Sequence, residues 1–242
     1  MEYEEIIDLI KSQSNSRAVA GMARFGINVA SAYGVSIPFL RSVAKKIGKK
    51  NHNLAEQLWS SGIHEARLLA TMIDDPRSVT KDQMQTWAKE FDSWDICDQC
   101  CSNLFDKTKY TYQKAVEWSR GDKKNKEFVK RAGFVLMATL AVHDRKEKDS
   151  IFLQFLPIIK QQSKDERNFV RKAVNWALRQ IGKRSLYLNR KAIHIAKDIE
   201  KMPSKSAKWI ATDALRELTS ETIQRKLSPG VPHTQLGLKG II

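Results

Sequence analysis

Apolar residues recur at three- and four-residue spacing along nearly the whole chain, and the strict alternation of a half-buried strand is scarce. The pattern predicts helices over 2–12, 16–25, 38–48, 52–60, 64–73, 80–91, 94–105, 109–119, 125–142, 149–161, 166–182, 186–200, 204–218 and 220–227. Short polar breaks such as Asp74-Asp75-Pro76, Arg120-Gly121-Asp122 and Met202-Pro203-Ser204 separate them, and none is long enough to be a domain linker. Most of these helices carry one apolar arc. The stretch Ala132 to Val142, AGFVLMATLAV, is apolar on all sides and therefore predicts a buried central helix.

One internal similarity sets the expected architecture. Phe128-Val129-Lys130-Arg131-Ala132 recurs as Phe169-Val170-Arg171-Lys172-Ala173, 41 residues later. HEAT and armadillo repeats have periods of roughly 40–47 residues, each a helix pair that buries its apolar face by stacking on its neighbours. The expected fold is all-α, a HEAT-like helical repeat solenoid whose concave groove is basic. It would form a single domain over 1–228. Residues 229–242, with Gly230, Pro232, Gly237 and Gly240, lack a helical period and read as a mobile tail.

Charge narrows the partner. The 242 residues hold 42 Lys+Arg against 27 Asp+Glu, a formal charge of +15, while 42% hydrophobic content is too high for intrinsic disorder. Residues 1–121 contain 16 basic and 15 acidic side chains; residues 122–242 contain 26 and 12. A polyanion suits the second half, and nucleic acid leads because its phosphates release counterions to lysine and arginine. No apolar run approaches the roughly 18–20 residues of a membrane span, and the acidic, amphipathic opening MEYEEIIDLIK is unlike a signal peptide, so a cytoplasmic protein is expected. The three cysteines, Cys97, Cys100 and Cys101, form neither a disulfide framework nor a four-ligand zinc site and read as small buried side chains. The five histidines lack metal-ligand spacing, and phosphate-loop, dinucleotide, zincin and nucleophile-elbow motifs are absent. Metal chemistry, nucleotide hydrolysis, nicotinamide chemistry and serine hydrolysis are therefore not expected.

Candidate chemistry lies where residues leave the apolar arcs. In 166–182, Val170, Ala173, Val174, Ala177, Leu178 and Ile181 share one face, whereas Trp176 lies about 40° from Lys172, with Arg179 and Lys183 about 20° to either side of that lysine. An aromatic ring in a basic stripe suits a polyanion carrying flat groups, or else closes the edge of the core while lysines snorkel past it. In 94–105, Ile96, Cys97, Cys100 and Leu104 define the core face while Trp94 and Asp98, four residues apart, share another. Asp98 is either a solvated or ion-paired acid, or a carboxylate placed to stabilise positive charge in a transition state. Arg131, beside the central helix, either pairs with an acid or clamps a phosphate.

Phe91-Asp92-Ser93-Trp94-Asp95-Ile96-Cys97-Asp98, Phe128-Val129-Lys130-Arg131-Ala132 and Asn168 to Arg179 (NFVRKAVNWALR) together resemble the DNA alkylation repair family of AlkD-type alkylpurine DNA glycosylases, from about Arg24 to Leu218. The resemblance implies a monomer that grips duplex DNA and hydrolyses the N-glycosidic bond of cationic alkylated purines with neither metal nor organic cofactor and without extruding the base. It assigns catalysis to Asp98, places Trp94 and Trp176 as aromatic walls against the deoxyribose, sets Arg131 beside a backbone phosphate, and makes Arg179 and Lys183 further DNA contacts; Lys172, between them on the basic stripe, is expected to bind DNA as well. Ser93 stands where the family often has an aromatic residue. The competing reading is a non-catalytic HEAT-repeat scaffold for nucleic acid or an acidic protein.

Overall fold

The structure is a computed structural model that describes residues 1–121 and 126–228. Among these, fifteen α-helices follow one another: α1 Tyr3–Ser12, α2 Ser16–Arg24, α3 Ile37–Ile47, α4 His52–Ser60, α5 His64–Ile73, α6 Lys81–Glu90, α7 Trp94–Asn103, α8 Thr111–Ser119, α9 Glu127–His143, α10 Asp149–Leu153, α11 Phe155–Gln162, α12 Asn168–Gly182, α13 Leu186–Glu200, α14 Lys205–Leu218 and α15 Glu221–Leu227. A 3-10 turn at Phe105–Lys107 follows α7. The described residues contain no strand. No described helix is long and apolar enough to cross a membrane. The start of the helix expected from 125 and the expected tail at 229–242 lie outside the described residues.

Helix starts follow local chemistry. Asn15, Ser36, Thr80, Ser185, Ser204 and Ser220 each accept a hydrogen bond from the backbone N–H three residues ahead, which satisfies a donor the helix cannot pair internally. The single helix expected over 149–161 is broken at Gln154. Pro157 has no N–H to give the Leu153 carbonyl, and its ring would collide with that carbonyl, so the chain turns and Pro157 sits in the first turn of α11.

The chain forms two compact units, one of residues 1–136 and one beginning at Met137. In the first, α4 packs along α5, and α5 also meets α3 and α7. Its core includes a stacked Trp59 and Trp87 pair, ring centroids 3.9 Å apart, and the Phe91, Phe105 and Trp118 rings. Gly133 of α9 lies so close to the end of α8 that a Cβ there would stand 2.9 Å from the Ser119 Cα. In the second unit, α12, α13 and α14 pack mutually, and α11 lies against α12 and α13. Residues Ala132 to Ala141 are all buried, as an apolar-all-round segment requires, and Val142 emerges.

Candidate nucleic-acid site

The site on the first unit is built at the start of α7. Ile96, Cys97 and Cys100 turn into the core, with Leu104 just beyond the helix end. Cys97 and Cys101 donate through Sγ to the carbonyls of Phe128 and Ala132, 3.6 and 3.8 Å away, tying α7 to α9. All three cysteines are free and buried packing groups, and burial pushes the Cys100 and Cys101 thiols well above their ordinary range, which keeps those two protonated. Among the described residues no cluster of His, Cys, Asp or Glu could hold a metal ion.

This packing leaves Trp94 and Asp98 half-buried on the other face of α7. The Trp94 indole N–H donates to the Phe25 carbonyl at 3.0 Å, fixing the ring against the end of α2, where the Phe25 side chain is 74% exposed. Asp98 faces Arg131 of α9. The guanidinium donates through Nε to Oδ1 at 2.8 Å and through Nη2 to Oδ2 at 2.7 Å, a bidentate fork. Arg131 is 7% exposed in its side chain and Asp98 is 17%, so the carboxylate keeps an opening to solvent that its partner largely lacks. Burial pushes the Asp98 carboxyl above its ordinary value, and the charge and hydrogen bonds of Arg131 oppose that shift without cancelling it. Of the two roles open to Arg131, the one visible here is pairing with an acid.

Ser93 and His64, to which the sequence gives no role at this point, hold this helix end in place. The Ser93 hydroxyl donates to Asp95 Oδ1 at 2.6 Å, and buried His64, at the start of α5, lies 2.9 Å from Asp95 Oδ2 through Nε2. Burial alone would pull the His64 imidazolium down, but the hydrogen bond and charge of Asp95 outweigh it and the group titrates above 6.5. Burial would likewise raise Asp95, and His64 with Ser93 holds it below 3.8. No sequence signal links His64 to Asp95 across 31 residues, because helical periodicity gives a face and not its partner.

On the second unit, α12 turns the expected six residues from Val170 to Ile181 inward, and Lys172 is exposed while Trp176, Arg179 and Lys183 are half-buried. The basic stripe is not bare. Arg179 donates to Asp213 at 3.0 Å and also to Glu217, and Lys183 donates to Glu217 at 2.7 Å. Burial would raise Glu217, but these two cations hold its carboxyl below the ordinary range. Asn175 donates to the same Asp213 at 2.7 Å, and Arg171 lies over the Trp209 ring at 5.2 Å. Lys172, the counterpart of Arg131 in the 41-residue repeat, forms no ion pair among the described residues.

With this geometry in place, the family description "DNA alkylation repair enzyme" matches residues 6–218. The chain belongs to the DNA alkylation repair enzyme family. Among solved structures it is similar to one described as "a new family of proteins related to the HEAT-like repeat DNA glycosylases with affinity for branched DNA structures", at 19% identity and a TM-score of 0.73, covering 90% of this chain and 95% of the other. No curated protein matches it. The all-α, HEAT-like fold expected of the family is therefore present here.

Proposed function

We propose that this family member binds duplex DNA and hydrolyses the N-glycosidic bond of cationic alkylated purines of the 3-methyladenine and 7-methylguanine type. The observation that carries the reading is a half-buried carboxylate, Asp98, locked bidentately by Arg131 and one helical turn from the pinned indole of Trp94. Alkylation at a ring nitrogen makes the purine a good leaving group, so the enzyme has little need to protonate it. The barrier lies in the deoxyribose, which becomes an oxocarbenium ion as the bond lengthens. A fixed anion and an electron-rich indole face meet that positive charge without reorganising. At 4 Å and an effective dielectric near 20, a carboxylate contributes about 4 kcal/mol, and the Arg131 fork reduces that figure by sharing the charge. Asp98 also accepts a proton from, or orients, the attacking water.

On this reading Trp94 of the first unit and Trp176 of the second each offer an aromatic face to DNA. Arg131 sets the carboxylate and approaches a phosphate, and Lys172, Arg179 and Lys183 meet the DNA backbone. Asp98→Asn keeps the size of the side chain, removes the charge and leaves one acceptor in place of two for the Arg131 fork. It is expected to slow single-turnover release of 7-methylguanine about a hundred- to a thousandfold with duplex affinity unchanged. Release at the wild-type rate removes Asp98 from the mechanism. A second reading, DNA binding without base release, is favoured by the affinity for branched DNA ascribed to the similar structure. It predicts saturable binding of duplex or junction DNA with no free purine from the wild-type protein.

A further inference from the structure

We propose that the end of α3 and the turn after it form a second DNA-backbone site, in which Arg41, Lys45, Lys49 and Lys50 hold a strand along a cleft of about 520 Å³ on the first unit. The inference rests on the DNA-binding reading above and extends it to residues outside the α7 and α12 sites.

Residues 41–50, RSVAKKIGKK, hold five cations and no acid. Without them, residues 1–121 would carry 11 basic against 15 acidic side chains, so this is a local positive patch on an otherwise acidic segment. All five cations are exposed, and among the described residues none is ion-paired. By contrast, Arg131, Arg179 and Lys183 are already engaged by Asp98, Asp213 and Glu217. Lys45 and Lys46 sit in the last turn of α3, where cations complement the helix dipole, but a terminus worth about half a charge does not account for five.

The backbone offers a second observation. Lys50 has φ +79°, a left-handed conformation that suits glycine, and it follows Gly48 at φ +85°. The turn is pinned because the N–H groups of Lys50 and Asn51 both donate to the Ile73 carbonyl, at 2.9 and 3.0 Å. A lysine kept where glycine would be unstrained points to a use for its side chain. The acids lining the cleft are occupied. Asp75 is bridged by Arg77 at 3.0 Å and more weakly feels the Lys50 charge without pairing with it, and buried Asp74 takes hydrogen bonds from His52 and Gln83. Ala44, Met72 and Pro76 also line it, giving apolar surface for sugar edges that a free phosphate would not need.

The test is fluorescence anisotropy of the full chain with a labelled duplex and a four-way junction across a salt series, comparing wild type with Lys45→Gln/Lys49→Gln and with Lys50→Gly. The double variant is expected to bind about tenfold more weakly, with the slope of log K against log salt reduced by about 2, close to one unit for every phosphate no longer neutralised. Lys50→Gly is expected to weaken binding while its thermal midpoint stays level or rises. Unchanged slopes in variants of a wild type that does bind DNA overturn this site and leave the DNA-binding reading intact, whereas a wild type without DNA affinity removes both. Displacement of DNA by inorganic phosphate or by polyglutamate at equal charge concentration marks a general anion surface and also overturns the proposal.

Discussion

Asp98 serves two demands that act on the same charge. Burial favours the protonated acid, while the Arg131 fork and the proposed chemistry both need the carboxylate. Because its value in the folded protein is raised above 3.8, Asp98 stabilises the fold at pH below 3.8, and that contribution is lost as pH rises through the raised value. The acid limb of base release, read in single-turnover experiments, is therefore expected above the range of an ordinary aspartate, and a limb at or below 3.8 contradicts the assignment. Removing the partner carries a cost of its own. Arg131→Ala leaves a half-buried carboxylate without its fork and is expected to lower stability by about 2–4 kcal/mol in denaturant titrations, with Asp98→Asn/Arg131→Ala recovering part of the loss. Trp94 and Asp98 are legible in the sequence because four-residue spacing puts both on one side of α7, away from Ile96, Cys97 and Cys100. The Arg131 pairing is legible only as one of two alternatives, since it closes across 33 residues and depends on how α7 meets α9.

At the scale of elements, the helices are legible because their apolar arcs and caps are local. The arc from Val170 to Ile181 is buried as its spacing requires, and the serine and asparagine caps lie where the helices begin. The break at Gln154 escapes the spacing rule although Pro157 marks it, because apolar spacing continues through the turn. What spacing cannot express is approach distance. Gly133→Ala would push a Cβ into the Ser119 backbone, and it is expected to cost about 1–3 kcal/mol despite the better helix propensity of alanine, a loss measurable as a lower urea midpoint. The His64–Asp95 link between α5 and α7 carries its own pH dependence. His64 is raised, so its contribution is full below 6.5 and lost as pH rises through its folded value; Asp95 is lowered, so its contribution is full above 3.8 and lost as pH falls. The stability advantage of wild type over His64→Gln is expected to be greatest between about pH 4 and 6.5 and to shrink at higher pH. A difference that stays constant from about pH 5 to 9 would show that the imidazolium contributes nothing.

For the whole molecule, a formal charge of +15 overstates the field offered to DNA, because several cations are paired internally. It is the unpaired lysines and arginines that set long-range attraction, and the two kinds respond differently to salt. Exposed charges are screened beyond about 8 Å at physiological ionic strength, whereas the largely buried Asp98–Arg131 pair is screened far less. Binding and chemistry should therefore separate. Raising salt from about 50 to 200 mM is expected to weaken duplex binding by at least about a hundredfold, while the rate of base release at saturating protein changes less than about twofold. The measurement is a single-turnover series in which protein concentration is varied at each salt level, giving affinity and maximal rate from the same curves. A maximal rate that falls in step with affinity would place the catalytic charge among the solvated surface groups and away from the half-buried carboxylate between α7 and α9. A constant rate with a steep affinity slope matches a protein whose unpaired surface lysines bring DNA in and whose single fixed carboxylate acts once it has arrived.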